Sequence, residues 1–138
     1  MEEKADWAYK ELKALLKYCL DNDIDPIDVQ GSMYGAIGMC QFMPSNLAHY
    51  AADGNDDGRI DIFHAPDAIA SLCRYLSKHG WSEVMTLDDM VRVLLRYNNM
   101  RKYAYTILAL AKTMEQIEGK RIPVRPNTRT SSKNIRHR

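Results

Sequence analysis

Cysteine is scarce in this 138-residue chain, with three residues at Cys19, Cys40 and Cys73. They are odd in number and share no CxxC-like spacing, which excludes a cysteine metal site. Cys19 and Cys73 fall on apolar helix faces, where a buried thiol acts as a small hydrophobe. Cys40 is the one expected to line a site. No apolar run is long enough to cross a membrane, and no signal peptide opens the chain. That start points either to a cytoplasmic protein or to a fragment whose first residue is not the natural one. No stretch alternates with period two over a useful length, which excludes a sheet and leaves an all-α fold. There are no internal repeats, and the length allows one domain with a real core but not two. Acids are missing from the last twenty residues, which hold seven Lys or Arg. All 18 acids lie at or before Glu118, against 12 Lys or Arg there. The balance of +1 therefore hides a mildly acidic body, 1–118, and a basic tail, 119–138, expected to be disordered.

What the chain does contain is concentrated in an acidic loop, Asp53-Gly54-Asn55-Asp56-Asp57-Gly58-Arg59-Ile60-Asp61-Ile62-Phe63-His64-Ala65-Pro66-Asp67. Oxygen side chains recur at alternate positions, as a loop curling around calcium requires. Gly58 takes the sixth position, where an EF-hand loop turns sharply, and Arg59 at the seventh offers its backbone carbonyl. Ile60 at the eighth is expected to pack inward. The pattern fails at the twelfth position, where His64 replaces a bidentate Glu. Asp67 is expected to close the loop, from the first turn of a helix opened by Pro66. The metal set is then Asp53, Asn55, Asp57, Arg59 and Asp67, for one structural calcium ion. A surface turn that binds nothing is the plainer alternative.

Helical periodicity fills most of the remainder. Ala8, Leu12, Leu15, Leu16, Cys19 and Leu20 form one stripe from about Glu3 to Leu20. A short helix is expected over Ser45–Ala52. A third, Pro66–His79, should turn Ile69, Leu72, Cys73 and Leu76 inward and stop at Gly80. Thr86 and Asp89 make a capping box for a helix burying Met90, Val91, Leu94 and Leu95. A last helix carries Tyr103, Ile107, Leu110, Ala111 and Met114. Between the first two helices, Gly31, Gly35 and Gly38 crowd into eight residues, which suggests backbone running close to backbone or ligand.

The run Gly31-Ser32, Gly35-Ala36-Ile37-Gly38, Gln41-Phe42-Met43-Pro44-Ser45 closely resembles the motif of MltB-type lytic murein transglycosylases. The resemblance continues through the acidic loop, through Ser71-Leu72-Cys73-Arg74-Tyr75-Leu76 with Gly80-Trp81, and through Arg96-Tyr97-Asn98 with Tyr103. It implies a partial lysozyme-like domain with an embedded EF-hand-like calcium loop over 53–67. It also implies peptidoglycan glycan strands as ligand and a periplasmic or cell-envelope location. Ser32, Gln41, Phe42, Tyr75, Tyr97, Asn98 and Tyr103 would then surround the glycan groove. Tyrosines stack on sugar faces, and an amide can pair with an N-acetyl group. A tyrosine at a core edge is the simpler role for Tyr75 and Tyr103. The basic tail would hold anionic envelope polymers or lipid, and no specific nucleic-acid partner is implied.

Two departures stand out. Tyr97-Asn98-Asn99-Met100 replaces the family's Tyr-Asn-His-Ser. The family's single catalytic glutamate lies on a helix upstream of the motif, and residue 1 already matches the helix just before it. That glutamate cleaves without water, giving 1,6-anhydro products. Glu2, Glu3 and Glu11 are expected on a solvated helix surface, so no catalytic residue is assigned. An upstream segment or subunit would carry the acid. Two other readings stay open: a non-catalytic peptidoglycan-binding relative, and a calcium-binding interaction module. The latter is disfavoured by the lack of a second loop.

Overall fold

A computed structural model describes residues 2–119, so the basic tail expected over 119–138 lies, beyond its first residue, outside the described residues. Five helices follow in order: α1 (Glu2–Asn22), α2 (Pro44–Tyr50), α3 (Ala65–Lys78), α4 (Leu87–Tyr97) and α5 (Arg101–Glu118). Among the described residues no strand forms; only isolated bridges pair Gly31 with Ile37 and Ile37 with Phe42. The chain divides after Asn99 into two units, the second being α5.

In the first unit α1 packs on α2 and α2 on α3. Their core gathers Tyr18, Cys19, Ile37, Phe42, Leu47, Ile62, Ala68 and Tyr75. Burying such side chains stabilises by about 1.5–3 kcal/mol each for the larger ones. Helix starts follow local chemistry. Pro44 and Pro66 stand in the first turns of α2 and α3, where a missing N–H costs nothing. The capping box at Thr86 and Asp89 forms in full. At the other end of α2, Arg74 donates to Ala51 O (2.6 Å) and Lys78 to His49 O (3.1 Å). These cations sit where terminal carbonyls concentrate negative potential.

The inward faces match the expected ones in part: Leu15, Cys19, Leu72, Leu76, Val91 and Leu94 turn to the interior, and other positions differ. On α1, Glu11, Tyr18 and Cys19 are buried, while Leu12, Leu16 and Leu20 are exposed. The helix is apolar on more than one side, and polar anchors choose between them. Tyr18 Oη donates to Ile60 O (2.9 Å) and accepts from Ile62 N (3.2 Å). Glu11, expected in solvent, is buried: its carboxylate accepts from Ser45 N (2.8 Å) and Ser45 Oγ (2.7 Å). It thereby satisfies an N–H in the first turn of α2 that the helix itself leaves unpaired. On α3, Ala68, Ser71 and Tyr75 face inward, and Ile69 and Cys73 are exposed. Tyr75 brings the larger ring to the core, which rotates Ile69 and Cys73 outward. On α4, Val91, Val93 and Leu94 are buried. In α5, Leu110, Met114 and Ile117 are exposed.

Candidate functional site

The glycine-rich run folds into successive tight turns. Ser32 N donates to Ala36 O (2.8 Å), and Ile37 and Phe42 exchange backbone bonds of 2.9 and 3.1 Å. The latter pair closes a four-residue loop, Gly38 to Gln41. Gly38 has φ +70, and a Cβ there would lie 2.7 Å from the Ile62 side chain and 2.8 Å from its carbonyl. Only glycine lets the two loops touch so closely. Met39 N then donates to Ile62 O (3.0 Å), which stitches the glycine-rich loop to the acidic one.

Gln41 holds a left-handed backbone, φ +49, a strained state for a non-glycine residue that is common at functional sites. Several contacts impose it. Both its backbone N (3.1 Å) and its side-chain Nε2 (2.9 Å) donate to Gly38 O. The Tyr97 hydroxyl donates to Cys40 O, on the peptide that precedes Gln41. Phe42 is buried immediately after it. Ser32 is fixed in parallel, its Oγ accepting from Tyr34 N (3.3 Å) and Ala36 N (3.2 Å).

Ser32 and Gln41 meet on one open cleft of about 430 Å³, lined also by Gln30, Gly31, Gly38, Met39 and Phe63. No charged side chain is among these. The sequence pointed to Ser32 and Gln41 but missed Met39 and Phe63, whose apolar surfaces flank them. Phe42 and Tyr75, 2% and 6% exposed, are core aromatics and do not line this cleft. Their ring centroids are 5.5 Å apart, and Tyr97 stands 6.2 Å from Phe42 and 5.6 Å from Tyr75. His79 stacks on Tyr75 at 4.1 Å, and the Tyr75 hydroxyl donates to Arg96 O (2.9 Å). Burial raises the Tyr75 pKa above the usual tyrosine value. Asn98 caps the C-terminus of α4, and Tyr103 stands in the first turn of α5, in the other unit. Cys40, expected to line a site, is in the core instead; its thiol donates to Ala68 O (3.0 Å), and burial raises its pKa.

The acidic loop is pre-curled. Asp53 accepts from Asn55 N, Asp56 N and Gly58 N, and Asn55 Nδ2 donates to Asp57 (2.8 Å). Asp57 also accepts from Arg59 N (2.9 Å), which with the Asn55 bond lowers its pKa. Ile60 packs against the core as expected. Asp67, 1% exposed, clasps the loop from within: it accepts from Gly54 N (2.8 Å) and Asp61 N (2.7 Å). The donors Asp53, Asn55, Asp57 and the Arg59 carbonyl are all hard oxygens, a set that fits calcium. Among the described residues, however, no three Asp, Glu, His or Cys side chains are gathered as a metal cluster.

The region that holds the glycine-rich run and the acidic loop matches known proteins. A family model described as transglycosylase SLT domain matches residues 1–93. The chain belongs to this transglycosylase family. Membrane-bound lytic murein transglycosylase B of Escherichia coli K12 is 40% identical over 78 residues, 56% of this chain and 22% of the relative. Soluble lytic transglycosylase SltB1 of Pseudomonas aeruginosa superposes with a TM-score of 0.76 at 25% identity, over 85% of this chain and 59% of its own. Escherichia coli Slt35, solved in complex with calcium, gives 0.59 at 36% identity, over 62% and 28%. Pseudomonas aeruginosa SltB3, solved with NAG-anhNAM-pentapeptide, gives 0.55 at 36% identity, over 59% and 22%. This SLT-domain chain thus spans less than two thirds of each of these relatives. Its all-helical fold is theirs, and among its described residues no helix is long and apolar enough to cross a membrane.

Proposed function

We propose that this chain grips the glycan strands of peptidoglycan as part of a lytic murein transglycosylase in the cell envelope. The observation that carries this reading is the meeting of Ser32 and Gln41 on one cleft without charged side chains. A neutral, amide-bearing sugar suits such a lining. Gln41 donates one N–H to Gly38 O, leaving its oxygen and second N–H for an N-acetyl group. The Ser32 oxygen accepts from two amides, and its own proton is left to donate. Phe42, Tyr75 and Tyr97 act as the rigid backing of the cleft, holding Gln41 in place. Asn98 is assigned to the groove by family resemblance alone.

One structural calcium ion would be held by Asp53, Asn55, Asp57 and the Arg59 carbonyl, with Asp67 closing the loop. Bound there, the ion would neutralise crowded acids and stiffen the turn that meets Gly38. Breaking the glycosidic bond needs a carboxylic acid at the leaving oxygen. No carboxylate lines the cleft; Glu11 is bonded to Ser45, and Asp67 to the loop amides. In this reading an upstream segment or subunit would supply the acid, and the exposed Leu12, Leu16 and Leu20 of α1 offer it an apolar surface. The test is co-sedimentation with purified peptidoglycan. Gln41→Ala should weaken binding about tenfold, the loss of one or two well-placed hydrogen bonds. Equal sedimentation of both proteins would contradict the reading.

A further inference from the structure

Phe63 is an aromatic ring that the fold itself does not use. It is 41% exposed and stands outside the core cluster and outside every aromatic pair of the described residues. Its backbone is nonetheless firmly held. Ile62 before it is fully buried, its own N–H donates to Asp61 Oδ1 (2.8 Å), and His64 after it caps α3. Met39, 62% exposed, is fixed beside it through the bond from Met39 N to Ile62 O (3.0 Å). Both line the Ser32–Gln41 cleft. Phe63 and Gln30 also line an adjoining depression of about 330 Å³, with Ile24, Val29, Asp28 and Asp61 on its wall. The ring therefore stands where two depressions join.

Resting on the glycan-binding reading above, we infer that Phe63, with Met39, is a sugar-contacting ledge over which the strand passes from one depression to the next. A pyranose ring presents C–H groups on one face and polar groups around its edge. The cleft offers the matching pair of surfaces: an aromatic face and thioether on one side, amides and a hydroxyl on the other. A rigid backbone makes such a contact effective, because little side-chain freedom is lost on binding. The Ser32–Gln41 cleft carries no charged side chain, which suits a neutral sugar, whereas the second depression carries the carboxylates of Asp28 and Asp61.

The test is titration of the full chain with soluble glycan strands stripped of their peptides. Phe63→Ala should weaken binding roughly fivefold, the size of one aromatic contact. Phe63→Leu should do likewise while keeping the melting temperature, and Phe63→Trp should restore affinity. The new indole's emission should change on strand addition, above the response of the parent chain with its own two tryptophans. Undiminished binding by Phe63→Ala, with Gln41→Ala impaired, would overturn the ledge and leave the glycan reading intact. Strands that fail to bind the unsubstituted chain would overturn both. Competition by free stem peptide would overturn the assignment to sugar.

Discussion

At the scale of single residues, Glu11 and Tyr18 tie α1 to segments far along the chain. Glu11 holds both the amide and the hydroxyl of Ser45. Glu11→Ala leaves two partly buried donors unpaired and should destabilise by about 1–3 kcal/mol in urea unfolding. Glu11→Gln, retaining one acceptor, should fall between. Tyr18 bridges Ile60 and Ile62 through its hydroxyl, and burial pushes its pKa up from 10.0 to about 12. A folded-state pKa above the unfolded one favours the protonated form in the fold. The stability it contributes is complete below pH 10 and is lost as pH rises towards 12. Unfolding measured across that window should show a steep decline, and Tyr18→Phe should flatten it, Tyr75 leaving a residual slope. Neither role was legible in the sequence. Each partner lies 34 or more positions away, and hydropathy alone places Glu11 in solvent.

At the scale of elements, the caps were legible and the faces only in part: Cys19, Leu15, Leu72, Leu76, Val91 and Leu94 turn inward as the periodicity expects. Proline and the Thr86–Asp89 pair announce their helix starts through local chemistry, which no distant packing alters. The buried faces of α1 and α3 follow instead from which long-range anchors win. That is why Leu12, Leu16, Ile69 and Cys73 stand outside. The cleft was legible in part. Its Ser32 and Gln41 belong to a recognisable run, whereas Phe63 occupies the eleventh place of a calcium-type loop, to which that pattern assigns no task. The loop itself carries a direct prediction. With affinity in the range of about 10⁻⁴ to 10⁻³ M, 10 mM calcium should stabilise the fold by roughly 1.4–2.7 kcal/mol. Thermal melts should show that rise, and Asp57→Ala should remove it. Melting indifferent to millimolar calcium would exclude the ion.

At the scale of the whole molecule, the cleft proposed to bind glycan carries no charged side chain of its own, and Asp28 and Asp61 line the depression beside it. A strained Gln41, held by Gly38, Tyr97 and Phe42, costs stability that the stitched loops offset. Under the proposed reading, this chain holds the strand and the proton donor comes from another segment or subunit. Binding and cleavage should therefore separate cleanly. The most direct measurement incubates the purified chain with peptidoglycan, follows co-sedimentation, and reads the supernatant for 1,6-anhydro sugars by mass spectrometry. The account predicts sedimentation that depends on Gln41, with no anhydro product released. Sustained release by this chain alone, abolished by Glu11→Gln, would contradict it and place the catalytic acid on α1.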